Sequence, residues 1–194
     1  MKKPLTPKKY LKLYQENAKG RVLQILFTFP EKEFSLSDLA REAGIAKANI
    51  GTVLKEFQET GLIQIEKLSK IWRIRAQQTS WVFVKHKIAY NLDFIYKSGL
   101  VEFLIDYFKN PRSIILFGSF RKGEDISNSD IDIAVESSDF TTIQSFGLRE
   151  LSEFEQEIKR KIQLHVFNQK NIDPSLFSNI ANGIVLWGFL EIHK

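Results

Sequence analysis

The chain has no cysteine among its 194 residues, so no disulfide framework holds it together. Long apolar runs are missing as well. None approaches the roughly 20 residues that a helix needs to span a bilayer, and the opening MKKPLTPKKYLKLY lacks the apolar core of a secretory signal. The expected setting is therefore soluble and cytoplasmic, with no membrane partner. Internal repeats and low-complexity tracts are also absent. Against these absences, hydrophobic residues make up 43% of the chain, enough for one large domain or two small ones with real cores.

Charge is unevenly spread. Residues 1–76 hold 15 Lys and Arg against 8 Asp and Glu, whereas residues 77–194 hold 13 against 15, so the overall surplus of +5 belongs to the front. Such a basic front fits an anionic partner such as nucleic acid, or a solubilising surface. The pattern there predicts a first helix from Asn17 to Phe29, ended by Pro30. A second helix is capped by Ser35, and Gly44 supplies a tight turn. A third begins near Ile45 with Ile50, Val53, Leu54 and Phe57 inward and Lys47, Asn49, Thr52 and Lys55 outward. Gly61 to Lys67 and Ile71 to Arg75 then alternate as a hairpin about Leu68 to Lys70. This order resembles the winged helix-turn-helix regulators of archaea and bacteria. The resemblance implies contacts to duplex DNA from Lys47, Asn49, Thr52 and Lys55, with Lys67, Lys70, Arg73 and Arg75 on backbone phosphates. Trp72 reads as an anchor of the hairpin.

A long helical stretch follows from Thr79, with Trp81, Val84, Ile88, Leu92 and Ile95 on one stripe and Gly99 dividing it in two. That stripe fits packing or a homodimer seam. His86 and Tyr90 have no companion ligands at metal spacing and read as structural. Residues 112–117 form the first sheet strand. A polar break starts at Ser138, an amphipathic helix is expected over Gln144 to Ile162, and a strand over Lys161 to Phe167. Asp173 and Pro174 open the last helix, and Gly183 to Gly188 reads as a final strand or a buried turn. The divisions expected are 1–77, a helical connector over 78–110, and 111–194.

The chemistry concentrates in the run ILFGSFRKGEDISNSDIDIAVE, which ends at Glu136. Gly118 and Ser119 close one apolar strand where the chain turns into a helix, so free backbone amides can meet a phosphate. Asp130 and Asp132 open the next strand. Residues two apart share a face at roughly 7 Å, so both carboxylates can reach one cation cluster. A solvated turn with a capping aspartate is the plain alternative, but it leaves the joint spacing of the blocks unexplained. Gly118-Ser119, Lys122-Gly123 and Ser129-Asp130-Ile131-Asp132 together resemble the nucleotidyltransferase superfamily of the DNA polymerase β type, especially its minimal members.

The fold implied is α+β, a winged helix-turn-helix followed by a small mixed-sheet nucleotidyltransferase fold. The resemblance implies ATP or another nucleoside triphosphate bound with Mg²⁺ in a two-metal arrangement, and transfer of a nucleoside monophosphate to an acceptor hydroxyl, such as that of a protein. Gly118, Ser119, Lys122 and Ser129 would contact the nucleotide, and Asp130 and Asp132 would hold metal. Lys122 stands where arginine is common, which keeps the charge and loses the bidentate fork; Arg121 could supply that fork instead. Active members carry a third carboxylate on a neighbouring strand. Here the outward residues of that strand are Gln163 and His165, and Glu136 lies too far along its own strand to replace it. Two readings follow: an active transferase, or a nucleotidyltransferase fold kept as a nucleotide- or partner-sensing domain of a transcriptional regulator or antitoxin.

Overall fold

The computed structural model describes residues 17–69, 71–109, 111–137, 144–146, 151–169 and 172–191. They form two compact units that divide between Tyr90 and Asn91.

In the front unit, α1 (Ala18–Thr28), α2 (Leu36–Glu42) and α3 (Lys47–Glu59) precede the antiparallel pair β1 (Ile63–Leu68) and β2 (Ile71–Ala76). Each boundary has a local cause. The Asn17 side chain accepts from the Gly20 amide, and Ser35 Oγ accepts from the Asp38 amide at 3.1 Å, so early amides that a helix leaves open are satisfied. Gly44 turns the chain between α2 and α3 at φ +61°, a conformation in which a Cβ would be strained. Phe34 pairs in both directions with Ile74 across β2 and is buried with Leu26, Leu39, Ile50 and Leu54. This is a winged helix-turn-helix. Trp72 packs half-buried against its core, and Lys67 Nζ rests 4.3 Å over the indole.

Helix α4 (Trp81–Ser98) breaks at Gly99, φ +75°, before α5 (Leu100–Tyr107). The unit boundary at Tyr90 therefore falls within a helix, since Phe83 and Tyr90 pack on the Phe27 ring while Leu92 and Ile95 join the second core. The buried face of α4 is Phe83, Lys87, Asn91 and Ile95; of the expected stripe, Ile95 lies on it, Val84, Ile88 and Leu92 are half-buried, and Trp81 is 68% exposed. A search for apolar periodicity passes over Lys87 and Asn91 because they are polar, yet polar groups enter a core when they have partners.

The second unit is a five-stranded mixed sheet. It is formed by β3 (Ser113–Phe117), β4 (Ile131–Glu136), β5 (Gln144–Phe146), β6 (Ile162–Phe167) and β7 (Ile184–Gly188), in the order β5-β6-β4-β3-β7. Among the described strands only β4 and β6 run parallel. The helices are α6 (Gly118–Lys122), α7 (Leu151–Ile158) and α8 (Pro174–Ala181). Ile131, Ile133 and Val135 point into a core shared with Leu104, Leu151 and Phe154. The opposite face carries Ile115, Phe117, Ala134 and Phe167, packed with Ile180 of α8.

One expectation needs correction here. Gln144 to Ile162 is not a single helix: Gln144–Phe146 is an edge strand antiparallel to β6, and among the described residues the helix runs over Leu151–Ile158. The free edge of β6 offers backbone hydrogen bonds that the segment's own helical pattern does not reveal.

Because Phe34 fills the centre of the front core, Phe34→Ala should destabilise that unit by about 3–5 kcal/mol. Denaturant unfolding followed by front-unit tryptophan fluorescence would check this, and an unchanged midpoint would contradict it.

Candidate nucleotide site and nucleic-acid face

The carboxylate pair lies on the α8-facing side of the sheet. Asp132 belongs to β4 and shares parity with Ala134, while Asp130 immediately precedes the strand. Opposite them on β6, Gln163 is registered with Asp132 and His165 with Ala134. Gln163 Nε2 donates to Asp130 Oδ2 at 2.6 Å. His165 Nε2 stands 3.9 Å from Asp132 Oδ1, with its ring edge-on to Phe117. On the strand expected to carry a third carboxylate, the residue beside Asp130 is thus an amide that donates to it. Glu136 faces a different set of partners, being buried beneath Ser113 and Gln169, which both hydrogen-bond to it.

Gly118 meets the pair from β3. Its φ is +72°, and a Cβ built there would overlap the Asp132 carboxylate, so both conformation and space demand glycine. Ser119 follows in the first turn of α6, half-buried, while Lys122 at its end is exposed. Gly123, at φ +70°, ends α6. Ser129 has a structural task, since its hydroxyl accepts from the Ile126 amide at 2.9 Å and closes the turn before Asp130.

That turn is held by residues that no sequence motif singles out. Asp125 is fully buried, and its Oδ2 meets Arg160 Nη2 at 3.1 Å. Asn91 Nδ2, from α4, donates to Asp125 Oδ1 and to the Phe120 carbonyl, each at 2.8 Å. Arg160 Nη1 donates to the carbonyls of Ile126 and Ser129 at 2.6 and 3.2 Å, and its guanidinium lies 5.5 Å from the Phe120 ring centre. The arginine therefore joins α7's end to the loop that delivers Asp130. Asn91, Asp125 and Arg160 lie far apart along the chain and form no local pattern; only their pairing makes them visible.

Among the described residues, no group of three or more His, Cys, Asp or Glu is placed to hold a metal ion. The donor set still fits Mg²⁺ accompanied by substrate phosphates, because that ion commonly takes one or two carboxylates and completes its shell with phosphate and water. Gly118 has no side chain, and the Asp132 carboxylate occupies the space that a Cβ would take, so the acid lies directly against the turn after β3.

In the front unit, Lys47, Asn49, Thr52 and Lys55 are all exposed on α3, and Lys55 pairs loosely with Glu59 at 3.8 Å. Arg73 and Arg75 converge on Glu33, with Nε contacts of 2.7 and 2.8 Å. The hydrogen bond from Arg75, joined by Arg73, holds the Glu33 carboxyl below its usual range against the opposing effect of burial. Asp38 is likewise lowered, first by the Ser35 hydroxyl and then by Arg41 and Lys32. Much of the wing's positive charge is thus balanced internally, whereas that of Lys47 at the start of α3 faces solvent. Lys70 lies outside the described residues.

Removing Arg160 would take the cation away from the buried Asp125 carboxylate. Arg160→Met should cost about 3–5 kcal/mol, against less than half of that for Asn91→Ala. Thermal unfolding of both variants measures the ranking, and equal effects would count against the ion pair as the main restraint.

A family model described as a nucleotidyltransferase domain matches residues 97–185. No curated protein matches the chain. Among solved structures, the crystal structure of NadR in complex with 4-hydroxyphenylacetate is similar at 15% identity, covering 53% of this chain and 72% of that one, with a TM-score of 0.37. Rv0081 of M. tuberculosis is 16% identical, covering 52% and 90%, with a TM-score of 0.32. The transcriptional regulator PA4135 is 19% identical, covering 53% and 83%, with a TM-score of 0.31. The matched residues 97–185 contain strands β3 to β6 of the mixed sheet, and it is this part of the chain that is similar to a nucleotidyltransferase domain.

Proposed function

We propose that the protein binds a nucleoside triphosphate with Mg²⁺ in its second half and duplex DNA through its winged helix, and that it acts as a nucleotide-responsive regulator. The observation that carries this reading is the Gln163 amide, 2.6 Å from Asp130 on the strand expected to supply a third carboxylate. An amide donor offers no negative charge to a cation and takes no proton at neutral pH. Asp130 and Asp132 would hold the ion, and the backbone at Gly118, with Ser119 and Lys122, would contact the phosphates. When bound, Mg²⁺ would neutralise phosphate charge and polarise a phosphoryl oxygen. Gln163 holds Asp130 in place and leaves binding intact while weakening transfer.

The transfer reading keeps one specific support. His165 stands beside Asp132 with an imidazole that could accept the proton of an acceptor hydroxyl, such as one on a partner protein. Calorimetry with ATP and Mg²⁺, run alongside pyrophosphate release with and without cell extract as acceptor source, separates the two. The regulator reading expects binding that disappears in Asp130→Asn with Asp132→Asn, little release from the wild type, and at least tenfold more release after Gln163→Asp. Rapid release by the wild type, abolished by His165→Ala, would establish the transferase instead.

DNA binding rests on the exposed polar face of α3, where Lys47, Asn49, Thr52 and Lys55 all face solvent, as a helix that enters the major groove requires. Affinity for mixed-sequence duplex should fall steeply with salt. Lys47→Ala with Lys55→Ala should weaken it and reduce the slope of log affinity against log salt by about one for each lysine that no longer neutralises a phosphate. Fluorescence anisotropy across a salt series is the measurement, and a salt-independent curve would refute the proposal.

A further inference from the structure

Beside Gly118 lies a cavity of about 220 Å³ lined by Phe117, Gly118, Arg121, Lys122, Asn179 and Asn182. Its walls differ in character. One bears the two cations of α6 beside the ground proposed for phosphate. The other is the C-terminal end of α8, where two carboxamides stand close to the last helix carbonyls, a region of partial negative charge that disfavours an anion. Asn182 Nδ2 donates to the Ser178 carbonyl at 2.8 Å, which orients the amide so that, among the described residues, its oxygen remains an open acceptor.

This wall is firmly placed. Ile180 of α8 is fully buried against Ile115 and Phe117. Gly183, next to Asn182, approaches β3 so closely that a Cβ there would lie 2.5 Å from Ile115 Cγ2 and 2.6 Å from the Leu116 carbonyl oxygen. The asparagines are consequently presented on a rigid element, as a specificity contact requires. A ligand suited to both walls has an anionic end and a neutral end rich in hydroxyl groups. The volume is below the roughly 300–1,000 Å³ of sites that enclose a whole small molecule, so the cavity takes part of a larger ligand.

We propose that this cleft is the sugar subsite of the nucleotide, with Asn179 and Asn182 hydrogen-bonded to the ribose hydroxyls and Arg121 and Lys122 on the adjoining phosphate. The proposal rests on the nucleotide-binding reading above and adds a substrate class, ribonucleotides over those lacking sugar hydroxyls. Both asparagines are solvent-exposed, so their replacement leaves the cores untouched.

The test is calorimetric titration of the full chain, in Mg²⁺, with ATP, 2′,3′-dideoxy-ATP and inorganic triphosphate. The wild type should prefer ATP over the dideoxy analogue by about tenfold, the worth of one or two neutral hydrogen bonds. Asn179→Ala with Asn182→Ala should bring ATP to the level of the analogue and leave the analogue and triphosphate unchanged, with only a small drop in melting temperature from loss of the Asn182 hydrogen bond to Ser178. Equal wild-type affinity for ATP and the analogue, or a preference that survives the double replacement, would overturn the subsite while leaving nucleotide binding in place. Failure of ATP and triphosphate alike to bind the wild type would overturn both readings.

Discussion

The buried ion pair between Asp125 and Arg160 is the constraint on which the candidate site depends. An unpaired carboxylate in that position would carry a large desolvation cost, and the guanidinium removes it only by meeting the acid in one geometry. In that geometry Arg160 has donors left over, and they go to the carbonyls of Ile126 and Ser129. The loop before Asp130 therefore has little freedom. Asn91 extends the restraint to α4 and to the carbonyl of Phe120 in α6, so both arms of the site, the glycine turn and the acidic strand, hang from one polar cluster.

The site itself combines close approach with incomplete charge. Gly118 lets the backbone lie against Asp132, whose carboxylate takes the space that a Cβ would fill. Gln163 then replaces repulsion with attraction. A third carboxylate beside Asp130 and Asp132 would be held apart from them without a cation, whereas an amide donor stabilises Asp130 with no ion required. The amide thus holds Asp130 without adding negative charge to the pair.

The front unit shows a comparable economy of charge. Arg73 and Arg75 share Glu33, so the base of the wing contributes less free positive charge than its composition suggests. Exposed ion pairs of this kind add little stability. Their consequence is to leave the face of α3, with Lys47, as the more available ground for an anionic partner.

Local patterns in the chain were enough to specify the helices and strands of the front unit, the glycine at φ +61° between α2 and α3, the break at Gly99, and the placing of Gly118, Asp130 and Asp132 at adjoining strand ends. These follow from short-range causes: caps, side-chain periodicity and the special backbone freedom of glycine. The remaining features arose only on folding. Gln144–Phe146 became a strand because β6 offered an unpaired edge, and α4 turned Lys87 and Asn91 inward because burial follows partners as well as hydrophobicity. Asn91, Asp125 and Arg160 carried no signal until the fold joined them, and Asn179 and Asn182 acquired a shared cavity only when Gly183 let α8 settle against β3. Local sequence specifies conformation over a few residues, whereas a polar residue's role is set by what the fold brings within about 3 Å of it.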